Sequence, residues 1–235
     1  MKVSDALYSA ARALFACCVL AGIVLFSCAT DPSENDSTRE ADRLAREERL
    51  GKGRVALNLG EDGYYLTVDG TEFFAKGVGL GPGTGYSGGV SDEFKQAVDR
   101  VAEAGGNAIR TWSYEYGKEI LNYCQTKNIM VCMGLWVQHE RHGFDYNNAA
   151  AVAAQKETFR AAVMELKDHP ALLAWGVGNE VETEATNMRV WDAVNDISKM
   201  IHEIDGNHPT MYVVADYFDP VVADISNRLS DIDII

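Results

Sequence analysis

Asp168-His169-Pro170-Ala171-Leu172-Leu173-Ala174-Trp175-Gly176-Val177-Gly178-Asn179-Glu180 reads as a buried strand that delivers two polar side chains at its far end. Residues 172–178 are apolar without alternation, as in strands covered on both faces. His169-Pro170 closes the helix in front of them, because proline disfavours the helical conformation of the residue before it. A strand covered on both faces belongs to a parallel sheet with helices on each side, so βα units should flank it.

The surrounding sequence repeats that plan. Upstream lie a helix over 149–167, an apolar strand over 129–136, a helix over 116–127 and a short strand over 107–112. Ser91-Asp92-Glu93-Phe94 opens a further helix with an N-cap and an acidic first turn, and Gly105-Gly106 stops it. Downstream, 188–204 and 220–229 read as helices, 211–215 as a strand and 232–235 as the start of another. At the front, 55–59 and 64–68 form a hairpin across Glu61-Asp62-Gly63, and Asp69-Gly70 then turns the chain into the first strand of the repeat, 73–79. This pattern predicts an α/β fold with about six parallel strands and five helices, either doubly wound or a (β/α)8 TIM barrel. Gly77, Gly79, Gly81, Gly83 and Gly85 lack the dinucleotide-binding spacing, and no capped helix starts among them. Polar and aromatic residues gather behind the strand ends, at Trp112-Ser113-Tyr114, at 136–142, at 179–184 and at Asp216-Tyr217. In a barrel that face carries the chemistry, so an incomplete TIM barrel is the expected fold of 51–235. On the ~250-residue scale of such barrels, about 70 to 100 further residues are expected, and a truncated product is the reading of the missing strands.

Composition narrows the partners. The 235 residues are 47% hydrophobic and 24% charged, which excludes collagenous and wholly disordered classes. Lys+Arg 21 against Asp+Glu 35 leaves −14, with no basic run, so nucleic acid is not an expected partner and neutral ligands suit the chain best. Lys2 and Arg12 precede an apolar run over 13–26 that is shorter than the roughly 20 residues of a spanning helix. Residues 1–27 are read as a signal peptide. Leu25-Phe26-Ser27-Cys28 resembles a bacterial lipobox, which implies lipidation of Cys28 and anchoring to a membrane of the cell envelope. Ala29 after that cysteine favours the outer membrane by resemblance to lipoprotein sorting signals. Residues 28–50 are dense in charge and are expected to be a disordered linker. Cys124 and Cys132 are expected as buried free thiols rather than a disulfide, and no Cys/His spacing implies a metal or cofactor.

Gly176 and Gly178 flank Val177 and are read as leaving room beside the barrel axis for a bulky ligand. A carboxyl in such a partly apolar cleft has its charged form disfavoured, which suits Glu180 to general-acid work at neutral pH. The stretch ending in Asn179-Glu180 resembles the acid/base strand of the retaining glycoside hydrolases built on (β/α)8 barrels, including families 2 and 5. Gly106-Asn107-Ala108-Ile109-Arg110-Thr111-Trp112 is similar to the second strand of that clan, and 63–78 to the leading hairpin and first strand of family 2 barrels.

The resemblance implies that Glu180 is the acid/base, that Asn179 binds the sugar 2-hydroxyl and that Arg110 orients the nucleophile. It suggests His139 as a lining residue of the sugar subsite, with Trp112 and Trp136 as stacking platforms. Trp175, mid-strand, is expected in the core. The clan's nucleophile is a Glu ending a seventh strand, beyond these six; Glu182, Glu140 and Asp216 are the internal substitutes. Two functions follow: a surface-anchored retaining glycosidase acting on β-linked poly- or oligosaccharides and inactive as this piece alone, or a non-catalytic sugar-binding lipoprotein.

Overall fold

A computed structural model describes residues 32–81, 90–215, 225 and 227–235. The signal stretch, Cys28, Gly83, Gly85 and Asp216 lie outside the described residues. The chain separates into two units, 1–38 and 39–235. Of the first, only 32–38 are described, and they are helical.

Within the second unit, β1 (Val55–Gly60) and β2 (Gly63–Val68) form the expected hairpin, with Leu59 opposite Tyr64. The sheet then gains a strand the sequence reading did not separate, β3 (Thr71–Phe73), antiparallel to β2 with Phe73 opposite Leu66. Asp69 and Gly70 have φ of 50° and 77°, the paired left-handed conformation that folds a two-residue loop back into a hairpin. Phe73 therefore belongs to this small sheet, and the barrel's first strand starts later, at Gly77.

The parallel sheet runs β4 (Gly77–Gly79), β5 (Ala108–Arg110), β6 (Met130–Leu135), β7 (Leu172–Val177) and β8 (Thr210–Met211), in that spatial order. Between the strands lie α2 (Asp92–Glu103), α3 (Gly117–Thr126), α4 (Ala149–Leu166) and α5 (Arg189–Ile204). Ser91 Oγ accepts the Phe94 N–H at 3.1 Å, and Asn148 Oδ1 caps α4 through the Ala151 N–H at 3.2 Å. Of the expected helix over 220–229, Ile225, Asn227 and Arg228 are described and helical. The sixth strand is present as one parallel bridge, Met211 to Ile234.

β8 is shorter than expected. Its continuation gives its backbone groups to the loop after β7, with the Val213 carbonyl accepting the Glu180 N–H at 2.8 Å and the Ala215 N–H donating to Glu182. The space inferred beside Val177 is also filled. A Cβ added at Gly176 would stand 3.5 Å from the Gly134 Cα and 3.6 Å from the Cys132 Sγ. These two glycines are register partners, and the tight one is Gly134, whose Cβ would stand 2.3 Å from the Thr111 carbonyl oxygen, so glycine there lets β6 lie against the chain after β5.

The core between sheet and helices is apolar and dry, with Ile120, Leu121, Met133, Leu135, Trp175 and Trp191 among its fully buried side chains. Cys124 and Cys132 are buried free thiols, as expected, and burial pushes both up to about 12. The charged stretch read as a disordered linker is helical as α1 (Pro32–Arg49). Arg43 pairs with Glu40 and Glu47 along the helix, and the Arg49 Nε meets Asp233 at 2.9 Å. Arg46 donates to the Ser230 carbonyl at 2.7 Å.

Candidate active site

The C-terminal ends of β5, β6 and β7 bring the sequence-predicted residues together. β7 is followed by Gly178, whose φ of 82° and close neighbours Val181 and Tyr212 suit glycine alone. Asn179 follows and is buried at 8% exposure. Its Oδ1 accepts a hydrogen bond from Arg110 Nη1 at 2.9 Å, which joins the end of β5 to the end of β7. Glu180 comes next, half-buried, with a φ of 53°. Left-handed backbone is unusual for a glutamate and recurs where the surroundings override local preference. Among the described residues, no hydrogen bond or ion pair engages the Glu180 carboxylate.

The other two internal carboxylates serve as braces. Tyr212 Oη donates to Glu182 Oε2 and accepts the Val181 N–H at 3.1 Å, while Glu182 Oε1 accepts the Ala215 N–H at 2.6 Å. Burial, reinforced by Glu182, raises the Tyr212 phenol far above its ordinary range, so it stays a donor. Glu140 accepts the Asn187 N–H at 2.9 Å and both the hydroxyl and N–H of Thr186. Those bonds hold its carboxyl below the usual range and tie the turn Glu140–His142 to the loop after β7. Sequence reading noted both carboxylates as substitute nucleophiles. The partners of these carboxylates lie 30 or more positions away, beyond the reach of local pattern.

His139 is fully buried rather than solvated. Its ring stacks on Trp136 at 4.9 Å and neighbours His142 at 5.1 Å. Burial, with Arg141 and His142 nearby, lowers its pKa and keeps the imidazole neutral. Trp112 carries the Arg110 guanidinium over its ring at 5.3 Å. A Cβ at Gly81 would meet the same indole at 2.6 Å, so glycine lets the chain after β4 lie against it. Between Trp112 and Trp136 opens a cavity of about 700 Å³. Trp175 sits below this rim in the core, its indole N–H on Asp205 Oδ2 at 2.7 Å. Among the described residues, no group of three or more His, Cys, Asp or Glu side chains is placed to hold a metal ion.

Known structures share this architecture. The model is similar to a β-glucuronidase from Faecalibacterium prausnitzii, with a TM-score of 0.56 and 18% identity over 73% of this chain and 29% of that one. A Bifidobacterium dentium β-glucuronidase complexed with coumarin-3-O-glucuronide gives a TM-score of 0.55 and 19% identity over 70% of this chain and 27% of that one. A family 2 glycosyl hydrolase from Bacteroides cellulosilyticus gives 0.53 and 19% over 75% of this chain and 22% of that one. At such identities the likeness is one of fold, and this chain spans less than a third of each of those proteins. No curated protein matches the sequence. The family model for glycosyl hydrolases family 2, TIM barrel domain, matches residues 65–233. The chain thus belongs to the TIM-barrel domain family of the family 2 glycosyl hydrolases.

Proposed function

We propose that this chain supplies the acid/base side of a retaining β-glycosidase site. The observation that carries the reading is the Arg110–Asn179 hydrogen bond at 2.9 Å, beside a Glu180 carboxylate that no described residue engages. The neighbouring rim carboxylates Glu140 and Glu182 are both engaged by hydrogen bonds. An unoccupied one at the rim of a parallel sheet is available to a ligand.

In this reading the protonated Glu180 gives its proton to the glycosidic oxygen as the bond to the anomeric carbon breaks. Asn179 holds the 2-hydroxyl, a contact that strengthens as positive charge grows on the ring. The Arg110 guanidinium favours the ionised form of a second carboxylate on the opposite side of the sugar. That carboxylate attacks, and Glu180, now a base, activates the water that releases the sugar with its configuration retained. By the family resemblance the nucleophile ends a seventh strand, so turnover belongs to a completed barrel. Trp136, with the buried His139 stacked behind it, forms one wall of the sugar subsite. Neutral β-linked glycans are the proposed substrates given the net charge of −14, and β-glucuronides are the first alternative. Residues 1–27 are proposed to export the chain and Cys28 to anchor it by lipid to the cell envelope.

A second reading, sugar binding without catalysis, is favoured by Arg110, which among the described residues binds Asn179 and pairs with no carboxylate. One experiment separates the two. In a completed barrel, Glu180→Gln should lower hydrolysis of substrates with poor leaving groups by about 10²–10⁴-fold. Activated aryl glycosides should lose less. Unchanged turnover on both would remove Glu180 from the mechanism.

A further inference from the structure

No described residue engages the Glu180 carboxylate, so its aim is set by the backbone that carries it. Two peptide groups flank the Glu180 Cα, and both are held by the segment that follows β8. The peptide in front donates the Glu180 N–H to the Val213 carbonyl at 2.8 Å. The peptide behind donates the Val181 N–H to the Tyr212 hydroxyl at 3.1 Å. The first acceptor is a main-chain carbonyl, which any residue at 213 would supply. The second is a side-chain oxygen that depends on tyrosine at 212.

Tyr212 is itself held firmly. It is 1% exposed, with its ring edge-on to Trp191 of α5 at 5.3 Å and its N–H on the Ile234 carbonyl at 2.9 Å. Its hydroxyl gives its proton to Glu182, which leaves a lone pair free to accept from Val181. Glu182 is fixed in turn by the Ala215 N–H at 2.6 Å. Each of residues 180, 181 and 182 is therefore tied to the segment 212–215. The conformation they hold is a costly one. A φ of 53° is sterically disfavoured for a glutamate, so this backbone relaxes towards negative φ once a tie is lost. Such a rotation turns the Cα–Cβ bond of Glu180 and swings its carboxyl away from its place.

From this geometry we infer that Tyr212, oriented by Glu182, is a positioning residue for the acid/base. It touches no substrate and acts on proton transfer by aiming Glu180. This rests on the reading of Glu180 as the acid/base. A misplacement of about 1 Å at a reacting group costs about 10²-fold in rate, so the tie bears on turnover as well as on stability.

The test is steady-state kinetics in a completed barrel that contains the whole of this chain, below the melting transition of every variant. Tyr212→Phe keeps the ring on Trp191 and removes only the hydroxyl. It should lower kcat about 10²-fold on glycosides with poor leaving groups, at unchanged KM. Activated aryl glycosides, whose leaving group needs no proton, should lose much less. Glu182→Gln should show the same split at smaller size, and it carries the test if Tyr212→Phe fails to fold. In a Glu180→Gln background, Tyr212→Phe should cost nothing further, because the group it aims no longer carries the proton. Equal losses on both classes of leaving group, a loss carried by KM, or additivity with Glu180→Gln would overturn the positioning role. Should Glu180→Gln lower hydrolysis while Tyr212→Phe and Glu182→Gln leave it unchanged, the positioning role alone fails. Should Glu180→Gln leave hydrolysis intact, the acid/base reading itself fails.

Discussion

Strand β7 has two ends that treat polar groups in opposite ways. Toward the bottom of the sheet the Trp175 indole reaches Asp205, which also accepts from the Asn207 N–H at 2.9 Å and lies 2.9 Å from His208 Nδ1. Burial works to raise the Asp205 carboxyl, but His208, Trp175 and Asn207 together hold it below its ordinary value. At the top, three residues past the strand's last apolar position, the Glu180 carboxylate is left without a partner among the described residues, on left-handed backbone. A buried charge with several hydrogen bonds stabilises a fold, while an unengaged one at a rim is open to chemistry. The contrast sets a buried acid held by three partners against a rim acid whose carboxylate no described residue engages.

Breaking the lower end should have the largest effect on stability. Asp205→Ala strands the Trp175 N–H and His208 in the core and should cost about 3 kcal/mol, read by denaturant unfolding. A loss under about 1 kcal/mol would mean that the bottom network is not the anchor described here. Next comes the brace beneath the rim. Tyr212→Phe removes the hydroxyl shared by Glu182 and the Val181 N–H and should cost about 2 kcal/mol. Glu182→Gln, which keeps the shape, should cost less, and equal losses for the two would argue against the tyrosine as the centre of the brace.

The upper end should respond with the opposite sign. Glu180→Gly relieves the left-handed backbone, so it should be about 1 kcal/mol more stable than Glu180→Ala even though both lack the carboxyl. Equal stability would remove the strain from the account. The smallest effect concerns pH. The folded-state pKa of His139 is depressed, so the unfolded chain binds its proton more readily, and stability falls as pH drops below about 6.5. His169, also depressed by burial, contributes in the same direction, so His139→Phe should flatten the acid slope of the melting temperature without abolishing it.

Elements set by local pattern were legible in the sequence. The Ser91 cap, the helix stop at Gly105 and the unalternating strand Leu172–Val177 each rest on neighbours within a few positions. The position of Asn179 and Glu180 directly after that strand was legible in the same way. What escaped depends on distant partners. β8 ends early because its continuing backbone is bonded to Glu180 and Glu182. Helix α1 was read as a loose linker, since its composition gives no sign that Arg46 and Arg49 reach Ser230 and Asp233. Gly176 is expected to leave space for a ligand, but Gly134 and Cys132 already stand at ordinary contact distance from where its side chain would be.

The acid/base role of Glu180 is tested most directly by chemical rescue in a completed barrel. With Glu180→Ala, an activated aryl β-glycoside still loses its leaving group, but the glycosyl–enzyme lacks a base to activate water. Azide, which needs no base, should then restore turnover and yield a glycosyl azide of retained β configuration. An azide product of inverted configuration would assign Glu180 to the nucleophile instead, and the absence of both rescue and azide product would contradict the account.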